Sequence, residues 1–268
     1  MDAPIDPRQI ASERPAAPAA RPLHVVFLIR SFGFPEGMAA THRVRLLGRA
    51  LIEQGASVRV LCTRVSELPG EVLSTATRGT TAEGISFRYT THSTVRSDSF
   101  LVRRLREALG FVGALLELAS LRRHGSLDCV YLTAAPDGWR LSVWLLVRLL
   151  NAQNVPVVVE FNELPGDATW LPSPIAHRFS HLDGMSGAVA ISRWLDEWVS
   201  AEAERIHRSV AQIEIPIVVD PAEQSPDPYP DGTPTLVYSA STEYGRAVTF
   251  LLKAMPIVWH RHGAVSDT

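Results

Sequence analysis

Short β-branched or apolar runs, several of them apolar at nearly every position, recur along this chain, separated by stretches in which apolar residues return every three or four positions. The runs are His24–Ile29, Ser57–Thr63, Ile85–Thr90, Leu127–Leu132, Val155–Glu160, Ala188–Ile191 and Gln212–Ile217. Continuous apolar runs of this length predict parallel strands covered on both faces. Between them, Val44, Leu47 and Leu51 recur at helical spacing, and Gly55 stands where a helix ends in a left-handed residue. Leu101, Leu105, Leu109, Val112 and Leu116 form one stripe of a longer helix, with Arg103, Arg104 and Arg106 off it. Ser192 occupies an N-cap position ahead of RWLDEWVSAEAERI. Strands alternating with helices predict an α/β fold: a Rossmann-like parallel sheet, doubly wound, with helices on both faces.

The strand–loop–helix opening occurs twice, over Leu23–Gln54 and again over Thr235–Trp259. Between the two lies Pro221–Pro234, with five prolines in fourteen residues, a composition that keeps a segment extended. The expected organisation is a disordered tail over residues 1–22, a first domain over 23–220, a linker over 221–234, and the start of a second domain over 235–268. A single βα unit cannot bury its own apolar face. The second domain is therefore expected to be incomplete within this sequence.

Composition narrows the function classes. The 268 residues carry a net charge of −2, which gives no global reason to expect nucleic-acid binding. Cys62 and Cys129 each fall inside a strand signal and lack any CxxC spacing, so they read as reduced core residues of a cytoplasmic protein. Residues 1–22 hold five prolines and six alanines without the apolar run of a signal peptide. No window reaches the ~20 apolar residues of a membrane span. Two arginine-bearing helices, Phe100–Arg123 and Trp139–Leu150, have the look of interfacial membrane helices, yet a parallel sheet must be covered by helices, which favours the sheet-covering reading.

Two segments carry candidate chemistry. The loop Ser31–Gly37 follows the first strand, and loops at the carboxyl ends of parallel strands line the ligand crevice of doubly wound sheets. Gly33 and Gly37 allow close backbone approach to a ligand, and the helix N-terminus beyond them favours an anion. Their spacing is G-x3-G, so the dinucleotide fingerprint is absent and a simple tight turn is the competing reading. His42, near the start of the same helix, is a candidate crevice residue. The second segment, VVVEFNELPGD, runs from a buried strand into Glu160, Asn162 and Glu163, which could bind hydroxyls or move a proton. Strand-end capping is the plainer alternative. His177 and His181 share a helix face but lack a third ligand at recognisable spacing, so no metal site is expected.

In order along the chain, these motifs resemble the two-domain glycosyltransferases of the GT-B fold, in particular the large retaining family four. The resemblance runs through FGFPEGMAATHRVRLLGRALIEQGASVRVLCT, LDCVYL, VEFNELP, AVAISRWLDEW and LVYSASTEYGRAVTFLLKAM. It implies that residues 23–220 form the acceptor-side domain of an enzyme that moves a sugar from a nucleotide-activated donor to a polysaccharide or glycolipid acceptor. No cofactor or metal is implied, and the protein would sit in the cytoplasm or at the inner face of a membrane. Arg246 stands at the family's donor-phosphate position, though Ala240 and Ala247 replace glycines there. The family's glutamate pair would lie beyond Thr268, so this chain alone is expected to transfer no sugar. A non-catalytic sugar-binding or protein-interaction module derived from such an enzyme is the alternative, and a nucleotide-sugar epimerase is a third.

Overall fold

The computed structural model describes residues 21–133, 140–165 and 181–220, together with positions 249–250, 253–254 and 256. The chain divides into two compact units, Met1–Pro221 and Ala222–Thr268. The first unit is a Rossmann-like α/β domain. Its elements are β1 (His24–Ile29), α1 (Ala39–Glu53), β2 (Ser57–Cys62), β3 (Arg78–Thr80), β4 (Ser86–Tyr89), α2 (Phe100–Arg123), β5 (Cys129–Thr133), α3 (Arg140–Asn151), β6 (Val157–Phe161), β7 (Gly187–Ala190), α4 (Arg193–Arg205) and β8 (Ala211–Glu214). In the second unit only the helical positions noted above are described; there Phe250 is exposed, whereas Tyr238, Leu251, Leu252 and the linker fall outside the described residues.

The eight strands form one sheet in the order β3-β4-β2-β1-β5-β6-β7-β8, parallel throughout except for β3. From β1 the chain winds outward through β2 to β4, then returns to β5 on the other side of β1 and winds outward to β8. The point of reversal therefore lies between β1 and β5. Right-handed crossovers in opposite directions place helices on opposite faces. Strand parity bears this out. Val25, Phe27 and Ile29 of β1 pack with Val44 of α1, while Val26 and Leu28 pack with Ala114 and Leu118 of α2, Leu146 of α3 and Val199 of α4.

The ends of the helices follow from local chemistry. Gly55, at φ 85°, lets the Gly55 amide bond the Ile52 carbonyl and the Ala56 amide bond that of Leu51, which closes α1. The Ser192 hydroxyl accepts from the Leu195 amide at 3.4 Å and caps α4. Both cysteines are free thiols. Burial pushes Cys62 well above the usual thiol range and Cys129 up to about 11.

One helix departs from expectation. The stripe Leu101, Leu105, Leu109, Val112 and Leu116 of α2 does not face the sheet; its members are 50% to 77% exposed. The opposite side packs instead, through Gly110, Ala114 and Leu118. A Cβ on Gly110 would lie 2.5 Å from both the Thr63 carbonyl oxygen and the Thr91 methyl, and Thr90 Oγ1 donates to the Gly110 carbonyl at 2.6 Å. Small residues let the helix backbone press against the strand ends, and the leucines are left on the outside. No described helix is long and apolar enough to cross a membrane.

Candidate functional site

The carboxyl ends of the parallel strands share one edge, and ligands of doubly wound sheets bind at that edge near the reversal point. Register fixes the alignment. Leu28 pairs with Leu132, Leu132 with Val159, Val159 with Ala188 and Ala188 with Gln212. The loop after β1, carrying Gly33 and Gly37, and the segment after β6, carrying Asn162 and Glu163, therefore leave the sheet at the same edge.

The loop after β1 is held firmly. Phe34 is buried, its ring meets Phe87 edge-on at 5.6 Å, and its amide donates to Tyr89 Oη at 2.9 Å. The Phe34–Pro35 peptide is cis. Tyr89 Oη also lies 3.1 Å from Ser66 Oγ, which ties the loop to the segment after β2. Burial first, then the neighbouring Cys62, pushes the Tyr89 phenol above its usual range. Neither Gly33 nor Gly37 has a positive φ. Gly37 is needed for space: a Cβ there would stand only 2.2 Å from Thr41 Oγ1, which donates to the Gly33 carbonyl at 2.8 Å. Gly37→Ala should therefore lower stability by about 1–3 kcal/mol through overpacking. Thr41→Ala in the same chain should recover part of that loss, and a thermal-melt double-mutant cycle measures the coupling.

Glu160 has a different setting from the one its strand-end position suggests. Its side chain points to the α1 face, in step with Val158, and is 1% exposed. Arg43 of α1 donates from Nε to its carboxylate at 2.5 Å and from its two terminal nitrogens to the carbonyls of Ile215 and Pro216, at 2.7 and 2.6 Å. One guanidinium thus joins α1, β6 and the segment after β8. Tyr131 stands beside this pair, its ring 4.6 Å from that of Phe27. Its hydroxyl is buried without a well-formed hydrogen bond among the described residues, and burial, then the Glu160 charge, pushes it above the usual phenol range. Sequence reasoning missed Arg43. The available signal was a charged residue directly beside Val44 on the inward side of an amphipathic helix.

The remaining candidates differ in exposure. Glu163 and His42 are exposed, and Asn162 is half-buried. Asn162 Oδ1 itself is shielded from solvent and has no hydrogen-bond partner among the described residues. His181 packs near Trp198, with ring centroids 6.4 Å apart. His177 and Arg246 lie outside the described residues. Among the described residues no three His, Cys, Asp or Glu side chains stand together as a metal site would require.

A second charged cluster borders the same edge and was not singled out from the sequence. Glu107 of α2 takes Arg64 at 2.8 Å, Arg104 at 2.9 Å and Arg30 at 3.9 Å. Arg30 follows β1 directly and Arg64 follows β2 by two positions. Burial chiefly, with Arg64 and Arg104 adding to it against the pull of Glu107, pushes Arg30 down to about 10. Three guanidiniums share one carboxylate, so this corner is net positive.

No protein-family profile matches the chain, and no curated protein matches it. Among solved structures it is similar to a glycosyltransferase from Rickettsia africae ESF-5, with 14% sequence identity and a TM-score of 0.45. The match covers 77% of this chain and 47% of that one, so the chain spans less than half the length of that structure.

Proposed function

We propose that this chain contributes the acceptor-side domain of a glycosyltransferase of the GT-B type, resembling retaining family four. The reaction would move a sugar from a nucleotide-activated donor to a polysaccharide or glycolipid acceptor, at the cytoplasmic face of a membrane. The observation that carries the reading is the shared carboxyl edge. A pinned loop after β1 and a polar segment after β6 leave the sheet together beside its reversal point. The order of sequence motifs supports it. In this reading Asn162 and Glu163 hold acceptor hydroxyls, Gly33 and Gly37 shape the wall, His42 borders it, and Arg246 meets the donor phosphates. No metal or cofactor is needed.

Glu160 is excluded from proton transfer in this reading because its carboxylate is engaged by Arg43. That same engagement favours, as a second reading, a sugar-binding module without catalysis. Both readings place a glycan at this edge, and only the first adds turnover when a nucleotide sugar is supplied.

Ligand-observed NMR with oligosaccharides tests the site directly. Asn162→Ala should weaken glycan contact about tenfold, the scale of one hydrogen bond to a polar ligand. The melting temperature should hold or rise, because among the described residues the shielded Asn162 Oδ1 has no hydrogen bond to lose. Saturation transfer to no glycan at all, or equal transfer in wild type and variant, would remove the site from consideration.

A further inference from the structure

The outward side of α2 is chemically unlike the surface of an ordinary sheet-covering helix. At about 100° per residue, Leu101, Leu105, Leu109, Val112 and Leu116 fall on one line that points directly away from the packed residues Gly110, Ala114 and Leu118. Solvent-facing lines of helices are normally polar. Here the most exposed line of a 24-residue helix is apolar from Leu101 to Leu116, exposed Val102 widens it at the N-terminal end, and Arg123 closes it at the other. An apolar surface of this extent marks a contact with something outside the fold.

Charge identifies the contact. The helix carries five arginines and two glutamates. Both glutamates are already shared by several guanidiniums: Glu107 by Arg30, Arg64 and Arg104, and Glu117 by Arg59 at 2.9 Å and Arg88 at 2.8 Å. Neither belongs to the apolar line. The leucines are therefore bordered by more guanidinium than carboxylate, since Arg104 shares Glu107 with Arg30 and Arg64, on a chain whose overall charge is −2. An apolar line with basic borders is the pattern that lies in the headgroup region of a membrane.

The spacing of the leucines would also suit a helix pair with a second copy of this chain. A two-fold pair brings the same patch of each copy together. Run parallel, it would set Arg104 and Arg106 against themselves; run antiparallel, it would set them against Arg122 and Arg123. Like charge meets like charge either way, whereas an anionic surface neutralises all of them.

We propose that the outward face of α2 is a docking surface for an anionic lipid bilayer, with the leucine line in the acyl boundary and the arginines at the phosphates. The proposal does not depend on any sugar transfer.

Flotation of the full chain with vesicles tests it. The chain should float with phosphatidylcholine vesicles containing phosphatidylglycerol, bind pure phosphatidylcholine weakly, and detach as salt is raised. Arg104→Gln and Arg123→Gln should each lower partitioning about fivefold, the equivalent of about 1 kcal/mol per basic residue near an anionic surface. Leu105→Glu with Leu109→Glu should abolish flotation with an unchanged melting temperature. If that pair lowers the melting temperature, Leu105→Gln with Leu109→Gln gives the same reading with less perturbation. Equal partitioning to neutral and anionic vesicles, or flotation that survives the leucine variants, would overturn the proposal. So would a dimer in sedimentation equilibrium that the leucine variants dissociate, since the second copy would then be the occupant.

Discussion

Glu160→Ala should destabilise the first unit by about 3–5 kcal/mol, and Arg43→Ala by a similar amount, because each leaves a buried charge without its partner. The pair is closed from solvent at 8% and 1% side-chain exposure. Removing the guanidinium also strips donors from the Ile215 and Pro216 carbonyls, so Arg43→Ala should be at least as harmful as Glu160→Ala. A small domain has about 5–15 kcal/mol of stability in total, so either loss is a large fraction of it. The double replacement by apolar residues of similar size, Arg43→Met with Glu160→Leu, should recover much of the loss, since a buried pair is often no better than packed hydrocarbon. Urea unfolding of the four variants measures this. A Glu160→Ala cost under about 1 kcal/mol, the range of exposed pairs, would show that solvent already reaches the carboxylate. In that event Glu160 would return as a candidate acid or base at the sheet edge.

The strands and the winding of the sheet were legible because their physical cause is local. A parallel strand buried on both faces must be apolar at almost every position, and β1, β5 and β6 are nearly so. β3 went unseen for the same reason: Arg78–Thr80 is exposed at all three positions and pairs with β4 through its backbone alone. Periodicity showed that the α2 leucines share a line, but periodicity alone does not say which way the line faces. The answer lay in Gly110, Gly113 and Ala114, whose small size allows the backbone contact that turns the leucines outward. Glu160 marks a different limit. Its place at a strand end was legible, but its partner is 117 positions away in sequence, and only the fold brings Arg43 to it. Gly37 was read as room for a ligand, whereas the fold gives that room to Thr41.

Phe34→Ala should cost about 3–5 kcal/mol, the range for truncating a fully buried aromatic ring. Phe34 is 1% exposed within a loop that is otherwise half-buried or open, so it is the anchor that holds the backbone after β1 against the domain. The substitution keeps the Phe34 amide, and with it the donor to Tyr89 Oη. What is lost is the packing that keeps that donor in place, chiefly the edge-on contact with Phe87. The loop should then open locally before the domain unfolds, as segments with few buried contacts do. Amide exchange should speed up over Ser31–Met38 by more than it does in β1 or β2. Phe34→Leu should cost far less, about 1 kcal/mol, because most of the volume is retained. Because Gly33, Gly37 and the start of α1 ride on this anchor, glycan contact in the alanine variant should weaken even at temperatures where the domain remains folded. Uniform acceleration of exchange across the whole sheet would instead show that Phe34 supports the core at large and that the loop has no independent motion to restrain.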